Sequence, residues 1–178
     1  MSWDIEDFVS RCSTCNRFKP KQIKEPLIPH KVPDWPWQKL GMDLSQFGHR
    51  NYLVVVDYFS KYPEICMLEN KTASNVITQL KSILARHGIP EVIMSDNMIF
   101  SSRTFREEMG HRTSDVESNG LSERMVQTIK NFLRKAEEDN SDPYIAVLEY
   151  RNTPLAGTDY SPAQLLMSRK LMSRIPTH

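Results

Sequence analysis

Residues 52–57 read Tyr-Leu-Val-Val-Val-Asp, an unbroken apolar and β-branched run between the turn residues Gly48-His49-Arg50-Asn51 and the connection Tyr58 to Pro63. A strand with one wet face alternates polar and apolar side chains, so a run this uniform reads as a strand buried on both faces. It asks for a sheet with a layer on either side, and the rest of the chain supplies the parts. Leu40–Phe47 reads as the strand before it and Glu64–Leu68 as the strand after it. Both connections are too short for a crossover, so the three predict an antiparallel meander. The period then changes. Val76, Ile77, Leu80, Ile83 and Leu84 recur at helical spacing, with Thr72 or Ser74 as cap and Gly88 and Pro90 as the stop. Glu91–Ser95 predicts a fourth strand, Thr104–Met109 a short helix and His111–Ser114 a brief fifth strand. The clearest helix is Leu121–Glu137, capped by Ser118 or Asn119. Its apolar stripe is Leu121, Met125, Ile129, Phe132, Leu133 and Ala136. Asp142-Pro143 opens another helix that runs to Asn152, and Ser161-Pro162-Ala163-Gln164 has the form of a capping box. The order predicts an α/β fold, its sheet covered on both faces.

The 178 residues suffice for one domain with a sizeable core and a short appendage. A formal net charge of +1 creates no global field, so any polyanion must be met by local charge. Arg11, Arg17, Lys19, Lys21 and Lys24 lie in a stretch without an acid. So do Arg169, Lys170 and Arg174. Such runs suit either a solvated surface or nucleic acid. No apolar stretch approaches the length of a membrane span and no signal peptide is read. Three cysteines do not make a disulfide framework, which predicts a reducing setting, nuclear or cytoplasmic.

Three acids carry the chemical reading. Asp43 lies inside the first strand between Met42 and Leu44, where a carboxylate is disfavoured unless paired or metal-bound. Asp96 ends the fourth strand and Glu123 falls in the first turn of the long helix. Hard Mg2+ or Mn2+ takes oxygen ligands, and two such ions can serve the attacking and leaving oxygens of a phosphodiester. The plain alternatives are an Asx turn at Asp96-Asn97, a helix-dipole role for Glu123, and Asp57 as an equally good strand-end acid. Gln127, Lys130 and Arg134 follow Glu123 on its helix face, opposite the apolar stripe. They form either a solvated surface or a line that holds DNA phosphates.

LGMDL, YLVVVDYFSKYPEI, LKSILARHGIPEVIMSDN, SNGLSERMVQTIK, YRNTPLAG and SPAQLLM, in that order, resemble the integrase of gypsy-type long-terminal-repeat retrotransposons. That family belongs to the retroviral integrase superfamily and has domesticated relatives. The resemblance covers nearly the whole chain. It implies an RNase H-like core, a mixed five-stranded sheet flanked by helices. It also implies an acidic triad of Asp43, Asp96 and Glu123 that is both catalytic and the ligand set for two Mg2+ or Mn2+ ions. Asp57 falls on a family position that is not catalytic. The implied chemistry is 3′-end processing followed by strand transfer, and the implied partners are element-end DNA, target DNA and further copies of the chain. Gln127 and Lys130 match family positions that contact element-end DNA. DFVSRCSTCNRFK resembles the second half of the family's zinc-binding domain, with Cys12 and Cys15 as the paired thiolates. No histidine precedes them here, and tetrahedral zinc needs four ligands, so a closed zinc site is not expected in this chain alone. Residues 1–24 then read as that partial zinc domain, 25–38 as a linker rich in Pro and Trp whose tryptophans staple it to the domain, and 39–178 as the catalytic core.

The sequence departs from the family at two places. Where the family has Gly-Pro-Gln-Phe after Asp-Asn, this chain has Met98-Ile99-Phe100, without the glycine that permits a positive φ. Asp96 and Glu123 are 27 positions apart, fewer than in the family, and the missing part is what supplies the fifth strand and the loop before the glutamate. A shortened fifth strand is expected. Three functions stay open at this stage: a metal-dependent strand transferase, a catalytically inactive integrase-derived remnant that binds DNA or protein, and another RNase H-like nuclease.

Overall fold

The structure, a computed structural model, describes residues 33–95, 114–117 and 120–173, together with Arg11, Phe105 and Glu107; side chains at 114–125 are not included. The chain divides into two compact units, Met1–Lys31 and Val32–His178. Cys12 and Cys15 lie outside the described residues.

Five strands make one sheet: β1 (Lys39–Phe47), β2 (Arg50–Asp57), β3 (Pro63–Leu68), β4 (Val92–Met94) and β5 (Ser114–Glu117), in spatial order β3-β2-β1-β4-β5. The first three form the antiparallel meander, with Asp43 opposite Val54 and Val54 opposite Ile65. A two-residue loop, Gly48-His49, joins β1 to β2, and Gly48 holds φ +52°, a conformation that favours glycine. Helix α1 (Ala73–His87) then crosses over, so that β4 lies parallel to β1 and β5 parallel to β4. Thr72 is the N-cap of α1. At its other end Gly88, at φ +94°, donates its N–H to the Leu84 carbonyl at 2.7 Å. Helices α2 (Gly120–Glu138), α3 (Pro143–Asn152) and α4 (Pro162–Met167) follow. Asp142 caps α3, and Ser161 with Gln164 forms the reciprocal capping box of α4.

The uniform run in β2 is explained by the two layers. Leu53 and Val55 face α1, in a core with Leu40, Met42, Ile93, Leu80 and Ile83. Tyr52, Val54 and Val56 face the other way, onto Val126, Ile129, Leu133 and Val147 of α2 and α3. Period-2 alternation makes both faces apolar because both are covered.

Three expectations are corrected. The fifth strand begins at Ser114, where the sequence predicts its end; its four residues agree with the shortened strand expected. The stripe of α2 runs through Val126, Ile129, Leu133 and Ala136, all buried, whereas Phe132 is partly exposed and stacks on Tyr150 of α3 with centroids 5.2 Å apart. Of the two tryptophans before β1, Trp37 is buried and Trp35 is half exposed. The short helix predicted at Thr104–Met109 falls outside the described residues apart from Phe105 and Glu107. Phe105 is buried in the core on the α1 side. No described helix is long and apolar enough to cross a membrane.

Candidate active site

β1 is the middle strand, flanked by β2 on one side and β4 on the other. Its alternation turns Leu40 and Met42 toward α1 and leaves Asp43, Ser45 and Phe47 on the face that α2 covers. Asp43 Oδ1 accepts the Leu44 backbone N–H at 2.6 Å, while Oδ2 is paired with the Lys130 Nζ of α2. Each of the two side chains is 20% exposed. A carboxylate partly withdrawn from water needs a compensating cation, and α2 supplies one from 87 positions away. The Ser45 hydroxyl, two residues further along the same face, is buried and has no hydrogen-bond partner among the described residues.

The other predicted site residues are placed less completely. Asp96 lies outside the described residues. Glu123 belongs to the first turn of α2, two helical turns before Lys130 and so on the same helix face, but its side chain is not described. Gln127 and Arg134 are exposed, and both reach Asn131 Oδ1, at 3.1 and 3.5 Å. Lys130 does not lie opposite the apolar stripe as predicted. It flanks the buried Val126 and Leu133 and turns in to the sheet, because Asp43 draws its ammonium there. Among the described residues no three His, Cys, Asp or Glu side chains are grouped to hold a metal. Asp43 is the one triad member whose side chain is described. Its carboxylate oxygens are of the hard type that Mg2+ or Mn2+ takes, and one of them is engaged by Lys130.

Two other acids have structural roles. Asp57, fully buried at the end of β2, accepts the N–H groups of Trp37 (3.0 Å), Phe59 (3.3 Å) and Ser60 (3.0 Å) and the Ser60 hydroxyl (2.5 Å). It organises the turn into β3 and anchors the segment before β1. Glu64 on β3 meets His87 Nε2 at 2.8 Å and Arg151 Nη2 at 3.1 Å, with Arg86 at 3.6 Å. Burial pushes the Glu64 carboxyl up, but the His87 hydrogen bond and the charges of Arg151, Arg86 and His87 outweigh it. The net effect holds the group below the usual carboxylate range. Sequence reasoning missed this cluster and the Lys130–Asp43 pair, because both join positions far apart in the chain. Asn131 was legible, since it stands at helical contact spacing from both Gln127 and Arg134.

A mixed sheet of this strand order, with helices on both faces and an acid in the middle of its central strand, defines an RNase H-like core. No family model matches the chain. An uncharacterised protein of Caenorhabditis elegans is 33% identical over 183 residues, spanning 94% of this chain and 14% of that protein. The Gag-Pol polyprotein of walleye dermal sarcoma virus is 29% identical over 191 residues, 96% of this chain and 11% of the polyprotein. A Pol polyprotein from the Drosophila melanogaster transposon opus is 27% identical over 95% of this chain and 18% of its own length. The chain thus spans less than one fifth of the relatives it matches. Among solved structures, an intasome of simian T-cell lymphotropic virus superposes with a TM-score of 0.67 at 21% identity, over 100% of this chain and 70% of that one. The HTLV-2 integrase catalytic core solved with magnesium superposes at 0.60 and 20% identity, over 75% and 98%. The chain is similar to retroviral and retrotransposon Pol polyproteins over most of its length, and its fold is that of retroviral integrase catalytic cores.

Proposed function

We propose that the Val32–His178 unit is an integrase core that binds DNA and carries out metal-dependent strand transfer and 3′-end processing through Asp43, Asp96 and Glu123. The observation that carries this reading is the β1–β4 register. Lys39, Leu40 and Gly41 pair with Val92, Ile93 and Met94. This register supports the reading because Asp96 follows Met94 by two residues in the sequence, as Asp43 follows Gly41. Glu123 lies in the first turn of the helix that packs on the Asp43 face of the sheet, seven positions before Lys130. Two divalent ions bound there would activate the attacking oxygen and neutralise the leaving one. The chain's own part is to hold them with carboxylates and to clamp phosphates with Lys130, Gln127 and Arg134, which fixes the duplex without reading its sequence. The HTLV-2 core solved with magnesium and the simian virus intasome, both alike in fold, support the cofactor and the DNA partner. Dimeric and trimeric forms of the HTLV-2 core support self-association in the same way.

A second reading, an integrase-derived remnant without chemistry, is favoured by one observation. Alignments with two of the relatives run over 183 and 191 positions, more than the 178 residues of this chain, so it lacks residues that those relatives have. The short β5 and the close spacing of Asp96 and Glu123 point to the segment between them. A displacement of about 1 Å at a reacting centre can cost on the order of 10²-fold in rate.

The test is thermal unfolding with and without Mn2+, followed by a joining assay on duplex oligonucleotides. The active reading requires a Mn2+-induced rise in Tm that Asp43→Asn abolishes, and joined products. Cleavage without joining identifies a nuclease. DNA binding that weakens with salt and survives loss of all three acids identifies a remnant.

A further inference from the structure

We infer that Lys130 is the resident counter-cation of the Asp43 carboxylate and gives it up to a divalent ion, so that metal loading turns its ammonium over to a DNA phosphate. The inference rests on the reading of Asp43 as a metal ligand and goes beyond it by coupling the cation site to the DNA-facing helix.

Asp43 commits one oxygen to the Leu44 N–H and the other to Lys130. An ion that ligates Oδ2 competes with the ammonium for that oxygen, because two positive centres at contact distance repel each other. On the proposed reading, in which Asp96 and Glu123 add their oxygens, a divalent ion outcompetes a single positive charge for that place.

The released side chain has a destination. On the same helix Gln127 and Arg134 stand exposed, joined through Asn131, and only Lys130 of the three is turned in against the sheet. Its position lies between theirs along the helix. The ammonium is a compact charge on a flexible four-carbon stem, so it can leave Asp43 and swing into that outer line without movement of the helix backbone. An amide, a guanidinium and an ammonium would then face one phosphate strand. Without metal, one of the three is held back on Asp43.

The coupling is read by Mn2+ titration of the full chain, followed by its effect on Tm, and by fluorescence anisotropy of a labelled duplex at several salt concentrations. Lys130→Met removes the competing charge and keeps most of the stem. We expect it to lower the Mn2+ midpoint about tenfold, comparable with the effect of a neighbouring cation on a carboxylate's proton affinity. Lys130→Arg should stay near the wild-type midpoint. In the wild type, Mn2+ should steepen the log–log salt dependence of DNA binding by about 0.9, the slope of one added phosphate contact. In Lys130→Met it should not. An unchanged or higher Mn2+ midpoint in a folded Lys130→Met overturns the competition, as does a wild-type salt slope that ignores Mn2+. A wild-type Mn2+ response that Asp43→Asn leaves intact overturns instead the metal-site reading beneath it.

Discussion

Asp43 and Asp57 sit on adjacent strands, and each is withdrawn from water, yet their surroundings are opposite. Asp57 at the end of β2 is saturated by three backbone N–H groups and a hydroxyl, all from its own turn and the Trp37 segment. Asp43 at the middle of β1 has one local donor and a long side chain from another layer. The first carboxylate is locked by donors that cannot leave. The second is held by one long side chain from another layer, and in the coupling proposed above it exchanges that group for another cation. A buried acid is thus a candidate for chemistry when its partners are replaceable, and burial alone does not separate the two.

The comparison breaks first at its structural end. Asp57→Ala strands four donors in a buried turn and should cost about 4 kcal/mol in urea unfolding. A loss below about 1 kcal/mol would show that the turn does not depend on them. Next is Glu64, an intermediate case with its partners on α1 and α3. Arg151→Met removes the charge that reaches Glu64 and the donors to the Pro63 carbonyl, and should cost about 2 kcal/mol. The Glu64 pKa is lowered by folding, so its contribution is complete above the unfolded value and is lost as pH falls through the folded one. Tm should therefore drop on acidification more steeply in the wild type than in Glu64→Gln, and equal slopes would remove Glu64 from the account. The smallest effect is expected at Asp43. Without metal, Asp43→Asn should change stability by less than about 1 kcal/mol, the range of partly solvated pairs. A loss as large as that of Asp57→Ala would erase the distinction between the two acids.

Much of this was readable in one dimension, for physical reasons that differ by element. The β2 run, the Thr72 and Asp142 caps and the Ser161–Gln164 box are local, so their residues announce them. β5 was displaced because Ser-Asp-Val-Glu has little strand character of its own and exists by pairing with β4. Phe132 looked like core because it is apolar and close to the stripe. Helical geometry instead gives the inward place to Val126 and leaves Phe132 against Tyr150. Trp37 adopts φ +67°, unusual for a bulky residue. Its N–H reaches Asp57 and its indole N–H reaches the Gly88 carbonyl at 2.9 Å, contacts that only the folded chain brings together. At the site, the acids were legible as types out of place. That Lys130 turns inward was not, because the residue that draws it lies on another element.

The outer rim of the sheet at β3 starts with Pro63, which has no N–H to give. Its carbonyl is taken up by Nε and Nη2 of Arg151, at 3.0 and 2.7 Å. At that corner an incoming chain finds no free donor and an acceptor already engaged, so the arginine that steadies Glu64 also blunts one place where sheets otherwise stick to each other and aggregate.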